Sequence, residues 1–154
     1  MTSVLAGTAG TQGLIGFGTA GTLVSVLGGT LSLAGGPGLL QNLAFYVPRD
    51  GTITSIAGYF STTAAVTLLG TVTITARLYE STTPNNTFTQ IATLPLTPTL
   101  SGVVSLGTIS SAVGTFSIPV TAGTRLLLVF TATSSGLDIA TVIAGYASGG
   151  VGIS

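Results

Sequence analysis

Asp50, Glu80 and Asp138, set against Arg49, Arg77 and Arg125, are the whole ionic inventory of this chain. Its 154 residues include no Lys, His, Cys or Trp. A Ser or Thr nucleophile therefore has no His or Lys to take its proton, and Cys–His chemistry is excluded outright. Hydrolysis by paired carboxylates needs two acids facing one cleft. Asp50 stands in a turn beside Arg49, Glu80 follows Arg77 at a strand end, and Asp138 follows a turn. This placement gives all three acids structural roles. No Cys- or His-ligated metal site can form, and the EF-hand spacing that collects oxygen ligands for calcium is absent. A calcium ion held by one Asp from each subunit on a symmetry axis is the only metal arrangement left. No Gly-rich stretch reads GxxxxGKS or GxxxxGKT, and Gly16-Phe17-Gly18 is too short for a dinucleotide fingerprint. The chain is expected to be no enzyme and to need no cofactor and no metal.

Weaker signals concern binding and modification. Asn85-Asn86-Thr87 matches the N-glycosylation acceptor pattern, although Asn is also a favoured turn residue. Thr52/Thr54 and Thr73/Thr75 resemble rungs of an ice-binding ladder, but no fixed period repeats them. Tyr46, Tyr59, Tyr79 and Tyr146 each offer an apolar ring with a hydroxyl, the combination that suits a sugar.

Charged residues make up 4% of the chain against a usual share of about 25%, so the surface must be built from hydroxyls and methyls. A formal net charge of zero gives copies of the chain no reason to repel one another, and easy association follows. Three Arg without Lys cannot track a phosphate backbone or hold an anionic membrane, so neither nucleic acid nor membrane is an expected partner. The mean hydropathy of +0.80 invites a transmembrane reading. A spanning helix, however, needs about 20 predominantly apolar residues. The charge-free stretch 1–48 is instead interrupted repeatedly by Gly, which costs a helix interior roughly 1 kcal/mol each relative to Ala. No basic region precedes an apolar core, so no signal peptide is expected.

The elements that must position these residues read as strands. In 72–79, Val72, Ile74, Ala76 and Leu78 share one face while Thr73, Thr75, Arg77 and Tyr79 share the other. Phe116, Ile118 and Val120 repeat the alternation. Turn signals follow closely at Gly28-Gly29, Gly35-Gly36-Pro37-Gly38, Pro48-Arg49-Asp50-Gly51, Pro84-Asn85-Asn86, Ser101-Gly102, Ala122-Gly123 and Ser134-Ser135-Gly136. Short strands at such spacing indicate an antiparallel sandwich or barrel. Leu126-Leu127-Leu128-Val129-Phe130 differs in being apolar on both faces. Such a strand is covered on both sides. One cover is the opposite sheet, and the simplest second cover is a neighbouring subunit, which makes Arg125, Leu127 and Val129 the candidate interface. Between Gly7 and Gly16, Gly recurs at every third position, the spacing of a collagen triple helix. The phase is lost at Thr19, and the plainer reading is a Gly-rich strand-and-turn segment.

The segment Asn42-Leu43-Ala44-Phe45-Tyr46-Val47-Pro48-Arg49-Asp50-Gly51-Thr52-Ile53-Thr54-Ser55-Ile56 resembles the C-terminal domain of BclB-type exosporium glycoproteins of spore-forming bacteria. So do Leu14-Ile15-Gly16-Phe17-Gly18, Ala76-Arg77-Leu78-Tyr79-Glu80-Ser81-Thr82-Thr83-Pro84, Ile118-Pro119-Val120-Thr121-Ala122-Gly123-Thr124-Arg125 and Ala144-Gly145-Tyr146-Ala147-Ser148. The resemblance implies a spore-surface protein whose head follows a collagen-like stalk, with no catalytic residues. Related heads are jelly-roll trimers similar to those of tumour necrosis factor and C1q. The stalk is not in this sequence. The expectation is an all-β antiparallel sandwich of the jelly-roll kind, a single domain with a Gly-rich segment at 1–38 and a core at 39–154. It would form a homotrimer beside other exosporium proteins. The alternative is a C1q-like module that binds glycans or host surfaces.

Overall fold

The computed structural model describes residues 11–15, 20–24, 29–32, 43–83, 85–136 and 142–154. Gly7, Gly10 and Gly16 of the triplet pattern, segment 16–18, the turn expected at 35–38, Pro84 and Asp138 lie outside the described residues. The described residues form eleven strands: β1 (Thr11–Ile15), β2 (Ala20–Val24), β3 (Thr30–Ser32), β4 (Phe45–Tyr46), β5 (Gly51–Thr62), β6 (Val66–Ser81), β7 (Thr87–Pro95), β8 (Leu100–Val104), β9 (Ile109–Val120), β10 (Arg125–Ser135) and β11 (Gly145–Ile153). No helix among the described residues is long and apolar enough to cross a membrane.

Every strand pairing is antiparallel. The larger sheet runs β2-β1-β10-β6-β7-β3, with β4 added beside β10 and β8 beside β6; the smaller runs β11-β5-β9. Together they form the all-β antiparallel sandwich that the alternation predicts. Val72, Ile74, Ala76 and Leu78 of β6 face Ile56 and Phe60 of β5 across one core, joined by Leu126, Leu128 and Phe130 of β10. Within 1–38, the described strands β1, β2 and β3 all belong to the larger sheet.

With so few ions, buried polarity is managed by hydroxyls capping backbone carbonyls. Thr62 Oγ1 donates to Ser105 O at 2.7 Å, Ser110 Oγ to Pro98 O at 2.7 Å and Ser81 Oγ to Thr83 O at 2.9 Å. All three residues are buried, and a buried hydroxyl without such a partner costs more than the bond itself returns. The turn expected at Ser101-Gly102 falls instead inside β8. Gly102 keeps a positive φ of 61°, but it sits opposite a bulge in β6 between Thr67 and Thr71. The chain reverses later, near Gly107, whose φ is 80°.

Close approach of the two sheets depends on small residues in the inward rows of the smaller one. A Cβ on Gly58 would lie 2.8 Å from Leu96 Cδ2 and 3.3 Å from the Ala76 Cβ. One on Gly149 would collide with Leu128 and approach Ala57 O to 2.9 Å. Overpacking of this kind costs about 1–3 kcal/mol. Gly58→Val is therefore expected to lower Tm by several degrees, read by thermal melting; an unchanged Tm would mean the sheets separate freely.

Candidate functional site

The residues proposed for the subunit interface occupy the outer face of the larger sheet, and two of them are already covered. Leu127 and Val129 are 1% and 0% exposed in the single chain. They pack with Leu31, Leu43, Tyr79 and Phe88 in a second apolar cluster on the far side of the sheet from the main core. The second cover expected from a neighbouring subunit is thus provided by the chain itself. The sequence could not reveal this, because Leu31 and Leu43 reach the strand from distant segments. Arg125 is half-buried on the same face; its Nη1 donates to Asn85 O at 2.8 Å and its guanidinium lies 5.0 Å from the Phe88 ring centroid. It anchors the β6–β7 turn more than it offers a free cation.

The remaining ionic groups are dispersed. Arg77 Nη1 donates to Gln90 Oε1 at 3.2 Å, and Tyr79 Oη donates to the same oxygen at 3.3 Å. Arg77 Nε is buried with no partner among the described residues. Asp50 Oδ1 accepts from the Ala122 backbone N–H at 2.7 Å, tying the turn before β5 to the turn after β9. Glu80 continues the inward row of β6, opposite Leu126. The two described acids therefore sit on separate elements. Among the described residues no three of His, Cys, Asp and Glu come together.

Burial pushes the Glu80 carboxyl above its ordinary value of 4.5. The charged form is the one penalised, so this group's contribution to stability is complete below 4.5 and is lost as pH rises through the folded-state value. Glu80→Gln is expected to raise Tm at neutral pH and to leave it unchanged near about pH 3, where folded and unfolded chains both hold the proton. Melts of both proteins at the two pH values test this, and a lower Tm for the variant at neutral pH would refute it.

The smaller sheet also exposes apolar side chains, as the larger does at Leu69 and Val103. Register across β11-β5-β9 aligns Tyr146–Ser61–Ile109, Ser148–Tyr59–Ser111, Gly150–Ala57–Val113 and Gly152–Ser55–Thr115 on the outer side. Val113 and Tyr146 are 78% and 77% exposed, and Ile109 and Tyr59 are exposed beside them. No residue of these rows is charged. Tyr59 and Tyr146 of the four proposed sugar-binding tyrosines meet on this face. Tyr46 is exposed on β4, and Tyr79 is fully buried and excluded from any surface role.

No protein-family model matches the chain, and no solved structure matches it. It is 29% identical over 153 aligned residues to collagen-like protein 1 of Acanthamoeba polyphaga mimivirus. The match covers 96% of this chain and 16% of that protein's length. The sandwich is therefore similar, over nearly all its residues, to a short part of a collagen-like protein. Its smaller sheet presents an uncharged face on which Tyr59, Ile109, Val113 and Tyr146 are exposed among Ser and Gly.

Proposed function

We propose that this chain is a structural head domain that associates with copies of itself and holds a collagen-like filament in register. The observation that carries the reading is the outer face of β11-β5-β9, which is without charge and exposes Tyr59, Ile109, Val113 and Tyr146. Two such faces meet without repulsion and without stranding an ion. The number of copies follows from the partner: a collagen triple helix winds three chains, so a head that registers it presents three C-terminal or N-terminal attachment points. A ring contact is heterologous and needs two different patches on each copy. Tyr146 on the β11 edge and Ile109 and Val113 on the β9 edge are two such patches. The role is mechanical and involves no catalysis, metal or cofactor.

The resemblance of 42–56 and the other segments to BclB-type heads motivates the finer placement. The filament would stand on the outer layer of a spore, the exosporium, beside other proteins of that layer, and expose a hydrated but uncharged surface. Similarity to a collagen-like protein supports the stalk partner. Light scattering across a dilution series tests the assembly: a mass three times that of the 15.1 kDa chain is expected, and a monomer at all concentrations refutes it.

A binding-module reading has one observation in its favour, the pairing of Tyr59 and Tyr146 with Ser111 and Ser148 on one open face. Saturable glycan-array binding that Tyr59→Ala abolishes, with the mass unchanged, would favour it over assembly.

A further inference from the structure

Between β10 and β4 of the larger sheet and the edge strand β11 of the smaller lies a cavity of about 340 Å³ that the assembly reading does not use. Phe45, Leu126 and Leu128 line it from the larger sheet, and Val151 and Ile153 from the smaller. Its size is within the range of small-molecule sites, about 300–1,000 Å³. β4 is only two residues long and β11 carries Gly149 and Gly150 at the wall, so few side chains are available there to fill the space. Arg49 is the single charged residue among those lining it. The acid next to it, Asp50, is engaged with the Ala122 backbone. In a chain with three cations, the placement of one of them beside an apolar hollow of this size is specific chemistry.

We infer that this cavity binds an amphipathic carboxylate, with its hydrocarbon tail between the sheets and its anion at Arg49. A water-sized group occupies about 30 Å³ of liquid, so the cavity has room for roughly ten such groups, about the number of carbons in a medium-chain fatty acid. Apolar lining and a convergent polar group at one end are the usual arrangement of such a site. The guanidinium suits a carboxylate, which it can hold with two parallel hydrogen bonds.

Decanoate and the neutral decanol are the probes, titrated calorimetrically into the parent chain, Arg49→Gln and Val151→Trp. The parent is expected to take one decanoate per chain. Arg49→Gln should weaken decanoate about threefold to tenfold and leave decanol unchanged, because only the anion loses a partner. Val151→Trp fills the hollow and should abolish both. Arg49 is exposed, so its variant folds whatever the fate of the Trp variant, whose melt is recorded alongside. Absence of saturable decanoate binding by the parent overturns the inference. So does equal loss of decanoate and decanol in Arg49→Gln, or decanoate binding that survives in a folded Val151→Trp. If Val151→Trp lowers the solution mass, the hollow belongs to a second copy, and the ligand assignment is overturned.

Discussion

Val129→Lys should unfold the chain. Val129 is fully buried in the cluster formed by Leu31, Leu43, Tyr79, Phe88 and Leu127, and in the register of β10 against β6 it stands directly opposite Arg77. A lysine there would place an ammonium in an apolar pocket, face to face with a guanidinium whose Nε already lacks a partner among the described residues. An uncompensated buried charge costs about 3–5 kcal/mol, and like charges directly across a strand pair add to it. Domains of this kind are stable by only about 5–15 kcal/mol, so loss of the cooperative melt at ordinary temperature is within reach of this one substitution. Val129→Glu should be milder, because its carboxylate meets Arg77 in the same register. The order of stability expected from circular-dichroism melts is parent, then Val129→Glu, then Val129→Lys. Had this face been a subunit interface, both variants would keep the strand signal and differ only in solution mass. That result would return Arg125, Leu127 and Val129 to the role the sequence suggested.

The difference between the two readings of β10 shows where sequence pattern carries information and where it stops. Alternation in 72–79 identifies β6 and its inward face because every second residue is aliphatic and its neighbours are polar or amphipathic. The two-sided run in β10 is equally legible as a strand covered twice. What the run cannot specify is the source of the second cover. Leu31 and Leu43 come from segments with no pattern linking them to position 129, and only the tertiary pairing of β3 with β7 brings Leu31 there.

The face proposed for assembly was hidden for a different physical reason. In the first half of β9 the usual sense of the pattern is inverted: Ser110 points inward and is fully buried, while Ile109 and Val113 point outward; from Phe116 to Val120 it is the ordinary one. Ser110 tolerates the interior because its hydroxyl donates to Pro98 O. Gly114 and Gly58 lie inward because the sheets approach too closely for larger groups. A strand that puts Ser and Gly inside and Ile and Val outside looks, by hydrophobicity alone, like a strand turned over. The usable signal was the Gly itself. Gly weakens a strand unless a backbone or another sheet comes close, so inward Gly beside outward Val marks a tight core under an open apolar face.

That open face leads to the second large effect. Val113→Glu should leave the chain folded and reduce its mass from three chains to one. Val113 is 78% exposed, and exposed substitutions usually change stability by no more than about 0.5 kcal/mol. In the assembly the same glutamate would be buried against a surface that carries no charge to pair with it, since none of the outer rows of β11, β5 and β9 contains an ionisable Arg, Asp or Glu. Burying one unpaired charge at a contact costs about 2–5 kcal/mol, and every 1.4 kcal/mol is a tenfold loss of affinity. A ring repeats the penalty at each of its contacts, so dissociation at micromolar concentration is the expected outcome. Val103→Glu is the control: Val103 is 80% exposed on β8, in the other sheet, and its variant should keep the parent's mass. Light scattering on the three proteins, with circular dichroism to establish that each is folded, separates the possibilities. Equal masses for the parent and Val113→Glu would mean that β9 faces solvent in the assembled protein. A loss of mass in Val103→Glu alone would move the contact to the larger sheet and leave the neutral face of β11-β5-β9 free for a ligand.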